Sequence, residues 1–293
     1  MTLQLSLLGR PRIVVDGHDL TSQMGDKPLA VLAYLALETP PPVAREKLAN
    51  VFWQDKTDEA ARYRLRNMLW NLRRDLGQEY IGADDFSCWL NTAQGIQIDA
   101  RQLEAGYKEA ARINALPESE LPELRTLIAL YRGDFLEFIT VREAPLFEEW
   151  LLVERERWQL LYQDLLWSTA QSQQAAGTFA DAAQTLRQLI QIDPLRERNY
   201  RALMKAYARA GDQTTALRVY DQCVRTLAAE LAIKPSAETR RLRDQIAQGI
   251  FEAGPTELER QLIQAEAALA EGHPEHARTL IQSARQALQN LFN

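Results

Sequence analysis

Arg62, Arg66, Trp70 and Arg74 recur every four residues, the spacing that brings side chains onto one side of an α-helix. Tyr63, Asn67 and Asn71 fall beside them, and Arg64 and Arg73 add charge to the same stretch. These residue types suit a double helix. Arginine grips a phosphate or a guanine edge with two parallel hydrogen bonds. Asparagine can pair with an adenine edge, and an aromatic ring can pack on a sugar or a base. The same residues would also serve as an ordinary solvated basic face, and taken alone the segment leaves the two readings about even. An exposed Trp70 fits the second reading poorly unless it packs on a neighbouring domain.

The elements around this segment must hold it in place. Leu65, Leu69, Leu72 and Leu76 recur at intervals of four, three and four, one buried stripe of a helix over about Glu59 to Leu76. Asp58 is a candidate N-cap, and Gly77 ends the helix. Two helices precede it. One runs from Lys27 to Leu37, with Pro28 near its start and Thr39-Pro40-Pro41-Pro42 as its stop. The other runs from Val43 to Trp53. Ahead of these, Leu3-Gln4-Leu5-Ser6-Leu7 alternates as a half-buried strand does. Arg12-Ile13-Val14-Val15 is β-branched and ends at Asp16-Gly17, a hairpin-turn signal.

After Gly77, Glu79-Tyr80-Ile81, Ser87-Cys88-Trp89-Leu90 and Gly95-Ile96-Gln97-Ile98-Asp99 read as short strands, so a hairpin follows the third helix as a wing. One turn of this region carries Asp84 and Asp85, and the next carries only Asn91, Thr92 and Gln94. Such a wing is electrostatically poor for touching phosphate.

The chain has 293 residues, 46% hydrophobic and 25% charged, with a formal net charge of −6. This is the composition of a folded globular protein and not of a bulk polycation. Any nucleic-acid contact must therefore come from positive charge concentrated on one element. Cys88 and Cys223, far apart, make neither a disulfide framework nor a metal motif and read as reduced thiols. The apolar start precedes its arginines, the reverse of a secretory leader, and no stretch reaches the ~20 apolar residues that span a bilayer. The expectation is a cytoplasmic protein without membrane contact. Enzyme readings find little support. His273-x-x-His276 lacks further metal ligands nearby, the phosphate-loop pattern is missing, and so are the nucleophile-elbow and Cys–His signatures. Neither a cofactor nor a metal is expected.

From Asp99 onward strand signals vanish. Helices are expected over Gln102 to Ile113, Pro122 to Leu130, and from Ala144 or Pro145 to Gln174. Ala176-Gly177 and Ala210-Gly211 then lie 34 residues apart, each with an alanine (Ala182, Ala216) five positions later. This is a tetratricopeptide-like period. The glycine closes the first helix of a pair and the alanine lets the two approach. Pro194 and Pro235 follow the second helices out of register, so the second repeat has grown by about two turns through Cys223 to Ala232. A further helix spans Ser236 to Phe251. Ala270-Glu271-Gly272 with Ala277 repeats the pattern in a terminal hairpin. Tyr162, Trp167, Tyr200, Tyr207 and Tyr220 read as core rather than as a ligand box. The fold class is mainly α: a winged helix-turn-helix with a small sheet, then a helical-repeat domain. The expected divisions are 1–100, 101–253 and 254–293.

Strands, two helices, Ala61-Arg62-Tyr63-Arg64-Leu65-Arg66-Asn67-Met68-Leu69-Trp70-Asn71-Leu72-Arg73-Arg74-Asp75-Leu76-Gly77 and a wing together resemble the response-regulator type of winged helix. More narrowly, they resemble the version found in the Streptomyces antibiotic regulatory protein family. A second resemblance runs from about Leu127 to Ile246. Leu130-Tyr131-Arg132-Gly133-Asp134-Phe135-Leu136, Asp193-Pro194-Leu195-Arg196-Glu197, Ala206-Tyr207-Ala208-Arg209-Ala210-Gly211-Asp212 and Glu230-Leu231-Ala232-Ile233-Lys234-Pro235 are similar to the bacterial transcriptional activator domain. That domain accompanies the winged helix in the same family. The resemblance implies that Arg62, Arg66, Asn67 and Asn71 face the major groove, with Arg64, Arg73 and Arg74 nearer the DNA backbone. Tyr63 and Trp70 are counted with the DNA-facing residues. It also implies a helical domain that dimerises or regulates, and activation through RNA polymerase.

The leading expectation is thus a transcription regulator that binds double-stranded DNA, as a homodimer on repeated half-sites. Two others stand beside it. The wing's acidity and the negative net charge favour a protein-interaction adaptor whose winged helix has lost DNA. A sensor of a small ligand or nucleotide between the two domains is the third.

Overall fold

A computed structural model describes residues 2–38, 41–91, 95–111, 118–251, 265–270 and 273–291. The chain divides into two compact units, Met1–Asn114 with Pro122–Leu165, and Ala115–Leu121 with Leu166–Asn293.

In the first unit, β1 (Leu3–Ser6) pairs antiparallel with β2 (Arg12–Val15), with Leu5 opposite Ile13. β2 turns into β3 (His18–Asp19) through Asp16-Gly17. Both turn residues have positive φ, 48° and 84°, the geometry a two-residue hairpin of this hand demands. Three helices follow: α1 (Asp26–Leu37), α2 (Arg45–Trp53) and α3 (Asp58–Leu76). Between the first two lies the short strand β4 (Val43–Ala44), so the second helix starts two residues later than its sequence pattern suggested.

The N-cap of α3 is Thr57 and not Asp58: the Thr57 hydroxyl accepts from the Ala60 N–H at 3.4 Å. Asp58 is instead the first helical residue. There its charge, with that of Glu59, faces the positive end of the helix dipole, while Arg73 and Arg74 sit in the last turn.

The wing is β5 (Ile81–Ala83) against β6 (Ser87–Leu90), with β4 on the far side of β6. The third expected strand, β7 (Ile96–Ile98), does not join it. It lies parallel to β1, giving a four-stranded sheet in the order β3-β2-β1-β7. Parallel pairing needs a crossover of a dozen or more residues, and the three helices and the wing supply it. Thr92 and Gln94, expected on the second turn, lie outside the described residues.

The first unit continues through α4 (Asp99–Ala111), α5 (Leu121–Leu130) and the first part of α6 (Pro145–Ala175). Residues 132–137 add themselves alongside the end of β1. Leu8 bridges Phe135, and Gly9 N–H donates to the Asp134 carbonyl at 3.0 Å. Beneath this zip, Phe52 stacks on Phe147 at 4.9 Å between ring centroids, and Tyr34 meets Trp150 at 4.8 Å. Phe52, Phe135, Phe147 and Trp158 are completely buried. At the centre, the buried Asp99 carboxylate accepts from the N–H groups of Leu7, Leu8 and Ala100 and from Arg132 Nη2 at 3.0 Å. Burial holds this carboxyl above its usual range while the donors pull it back.

The second unit is helical throughout its described residues. The end of α6 is followed by α7 (Phe179–Ile192), α8 (Glu197–Arg209), α9 (Gln213–Leu231), α10 (Ala237–Ala247), α11 (265–270) and α12 (Pro274–Leu291). Gly177 and Gly211 have φ of +74° and +83°, closing α6 and α8. Ala182 and Ala216 are fully buried, as two closely packed helices require. α9 has nineteen residues against fourteen in α7, so the growth is nearer one and a half turns than two. Tyr162 (in the first unit) and Tyr200 are core. Trp167, Tyr207 and Tyr220 are half-buried, each under an arginine, with Arg198 3.5 Å above the Trp167 ring.

Candidate nucleic-acid interface

The leucine stripe of α3 is buried as its spacing requires: Leu65, Leu69, Leu72 and Leu76 are each 3% exposed or less. At about 100° per residue, this fixes where every other side chain of the helix points. Tyr63, Asn67, Trp70 and Arg74 lie opposite the leucines and form the crest of the exposed side. Arg62, Arg66 and Arg73 form the flank towards the wing. Arg64 and Asn71 form the other flank.

The structure leaves Arg62, Tyr63, Arg64, Arg66, Asn67, Trp70 and Arg74 exposed and half-buries Asn71 and Arg73. Their partners differ. Arg62 Nη2 reaches Glu46 of α2 at 3.3 Å. Arg73 Nε donates to the Ile81 carbonyl at 2.9 Å, so it also helps to hold β5 against the helix. Arg74 Nε pairs with Asp75 at 2.7 Å, and its guanidinium lies 5.2 Å from the centre of the Trp70 ring. Arg64 and Arg66 have no ion-pair or hydrogen-bond partner among the described residues. Arg64 is electrostatically coupled to Lys27 and Lys56, which adds positive charge to its flank.

Lys56 pairs with Asp55, and the Lys27 ammonium donates to the Phe52 carbonyl and lies over Trp53. Burial draws the Lys27 ammonium below its usual range, and the neighbouring Arg64 adds to the effect.

Beside the crest, an open hollow of about 760 Å³ runs between the start of α2, the start of α3 and the wing tip, with Arg45, Glu46, Arg62, Arg66, Asp85 and Phe86 on its walls. Arg45 and Glu46 at the start of α2 and Phe86 at the wing tip carry no sequence signal as a group, because the fold brings them together from distant segments. Arg45 ties α2 to the wing: its N–H donates to the Phe86 carbonyl and its Nη1 to the Asp84 carbonyl at 2.9 Å. Phe86 is 82% exposed at the tip. The Asp84 carboxylate turns back onto its own loop and accepts from the N–H groups of Phe86 and Ser87. One of the wing's two acids is therefore a turn-former, and Asp85 is left as the outward charge.

Elsewhere the chemistry is sparse. Cys88 and Cys223 are free and buried, and burial pushes both thiols up to about 11, which leaves them unreactive. His273 is exposed at the start of α12, and the His276 side chain lies outside the described residues. Among the described residues no group of three His, Cys, Asp or Glu is placed to hold a metal ion, and no helix is long and apolar enough to cross a membrane.

A small sheet, three helices, a winged hairpin and a run of paired helices define a winged-helix protein with a helical-repeat domain. The bacterial transcriptional activator domain model matches residues 98–247, half of the chain, and the chain belongs to that family. It is similar to the regulatory protein AfsR of Streptomyces griseus, 28% identical over 83% of this chain and 24% of AfsR. It is 26% identical to the transcriptional regulatory protein MoaR1 of Mycobacterium tuberculosis, over 75% of this chain and 71% of the other. The transcriptional regulatory protein EmbR of the same species is 24% identical over 83% of this chain and 63% of its own length. A solved structure of EmbR in complex with a low-affinity phosphopeptide superposes with a TM-score of 0.63, at 22% identity, over 99% of this chain and 70% of that one. The chain thus spans about a quarter of AfsR and under two thirds of EmbR. It resembles the Streptomyces antibiotic regulatory proteins, a family of transcription regulators.

Proposed function

We propose that the protein binds double-stranded DNA in a sequence-specific way through α3 and activates transcription. The observation that carries this is the arrangement of α3 itself. Its apolar stripe is fully used in packing, while Tyr63, Asn67, Trp70 and Arg74 stand exposed on the opposite side, flanked by the exposed Arg62, Arg64 and Arg66. A helix of this kind fits the major groove, about 12 Å wide, with its crest towards the base edges and its flanks towards the groove walls, where outer base edges and phosphates are both within reach. In this reading Arg66, Asn67 and Asn71 contact bases, and Arg64 and Arg73 hold the backbone.

The helical repeats serve dimerisation and regulation. Two copies occupy half-sites about 10–10.5 base pairs apart, RNA polymerase is the partner in activation, and the setting is the cytoplasm. The first hundred residues carry the DNA contacts, residues 101–253 the regulatory repeats, and 254–293 a terminal hairpin.

Selection from a random DNA pool, followed by gel shift on the enriched sequence, tests the reading. Arg66→Ala and Asn67→Ala are expected to lose about 1–3 kcal/mol and blur the preference, while Arg64→Ala weakens all sequences alike and lowers the salt slope by about one. Binding untouched by all three changes would refute it.

A further inference from the structure

We propose that Arg74 reads a guanine in the major groove, held in its reading posture by Trp70 and Asp75. The proposal rests on α3 being the DNA-binding element and adds a base to it. The family resemblance would put Arg74 on the DNA backbone, but its place on the helix does not. It is the one arginine of α3 that lies directly opposite Leu65, Leu69, Leu72 and Leu76. Arg62, Arg66 and Arg73 are displaced towards the wing, and Arg64 towards the other side. With the helix seated in the groove, the line opposite the buried stripe reaches furthest towards the base pairs. The flanking lines lie nearer the groove walls, where outer base edges and phosphates are both within reach.

The second observation is how the side chain is held. Reading guanine takes two parallel hydrogen bonds, from an arginine fork to O6 and N7. An arginine that must order its long chain on binding loses rotamer freedom in doing so. Here the Nε–H is already committed to Asp75 at 2.7 Å, and the guanidinium carbon lies over the Trp70 ring, 5.2 Å from its centre. These two contacts restrain the side chain. They leave Nη1 and Nη2, the two nitrogens a guanine edge needs, without a hydrogen-bond partner among the described residues.

The other arginines are not prepared in this way. Arg62 has an Nη engaged by Glu46. Arg73 faces the Ile81 carbonyl. Arg64 and Arg66 have no hydrogen-bonding partner among the described residues to hold them. The same contacts account for the exposed tryptophan: Trp70 is a platform for Arg74 as much as a contact of its own. Trp70 and Asp75 are therefore positioning residues, and Arg74 is the one that touches the base.

The test is parallel selection from one random duplex pool with the full chain, its Arg74→Lys variant, its Asp75→Asn variant and Arg64→Lys as control. Lysine keeps the charge but cannot make the paired contact. All three substituted sites are exposed, and matching melting curves establish that each variant is folded. The wild type is expected to enrich a half-site with a fixed guanine. Arg74→Lys should lose roughly tenfold or more of the preference at that position alone, Asp75→Asn should lose part of it at the same position, and Arg64→Lys should lose none. If Arg74→Lys keeps the guanine and merely binds every sequence more weakly, Arg74 is a backbone contact and the proposal is overturned. An enriched wild-type site without a fixed guanine also overturns it, while leaving α3 as the DNA-binding element. No enrichment by the wild type overturns both.

Discussion

Replacing Asp99 by alanine should remove the strongest polar junction of the first unit. The Asp99 carboxylate accepts from three backbone N–H groups, those of Leu7, Leu8 and Ala100, at 2.7–3.1 Å. All three residues are 2% exposed or less, so water does not replace the lost acceptor without opening the packing. A buried donor left unsatisfied costs about 1–3 kcal/mol. Three would cost about 3–9 kcal/mol, an upper limit, because removing the carboxylate also relieves its own desolvation. Breaking buried ionic groups by taking one partner typically costs about 3–5 kcal/mol, and that is the expected loss. The ion pair with Arg132 contributes little of it. Arg132 is 45% exposed, a position where solvent screens a pair to about 1 kcal/mol or less. Asp99→Ala should therefore be severe, Arg132→Ala mild, and Asp99→Asn intermediate, since asparagine keeps one acceptor oxygen but presents an NH2 to the donors. Urea unfolding of the full chain, followed by tryptophan fluorescence, measures all three. Equal losses for Asp99→Ala and Arg132→Ala, or a loss below about 1 kcal/mol for the former, would show that the backbone donors are not what this carboxylate secures.

Three further outcomes follow from the same geometry. Glu46→Gln frees Arg62 and removes a negative charge beside the proposed DNA face, so affinity for the selected duplex should rise about two- to fivefold at low salt; an unchanged affinity would take Arg62 out of the interface. Burial pushes the Glu197 carboxyl up, but hydrogen bonds from Thr239 and Ser236, with Arg201 nearby, outweigh it and hold it below its ordinary 4.5. A lowered value in the folded state means stabilisation that is present above about pH 4.5 and lost as pH falls through the folded value. The melting temperature should accordingly drop on acidification, with a shallower acid limb in Glu197→Gln, and identical slopes would dismiss Glu197 as a contributor. Finally, Gly211 has φ +83° and open space at its missing Cβ, whereas Gly9 has φ +105° and Arg132 backbone 3.1 Å away. Gly211→Ala should cost about 1–2 kcal/mol of backbone strain and Gly9→Ala clearly more; equal costs in denaturant would contradict the steric argument.

The elements of this protein were legible because their signals are local. The leucines of α3, the Asp16-Gly17 turn and the paired Ala-Gly sequences at 176–177 and 210–211 each act within a few residues, through helix periodicity, positive-φ tolerance and close helix approach. The exposed character of Arg62, Arg66 and Trp70 followed from the same stripe, since a helix with four buried leucines has its opposite side left over. The Thr57 cap shows the limit of local reading: Thr57 and Asp58 are both good capping residues, and only the backbone trajectory chose between them.

What required tertiary structure was every pairing between distant segments. β7 joins β1 across some ninety residues of sequence. Leu7–Gly9 pairs with residues 132–137, and Phe52 meets Phe147. Such contacts depend on strand register and packing, and neither segment names its partner in its own composition. The same holds at the proposed DNA face. The sequence supplied five arginines on one helix. It took the folded neighbours, Glu46 beside Arg62, the Ile81 carbonyl beside Arg73, and Trp70 and Asp75 around Arg74, to make those five chemically unlike. A guanidinium's reach and freedom are set by what surrounds it in space and not by its position in the chain.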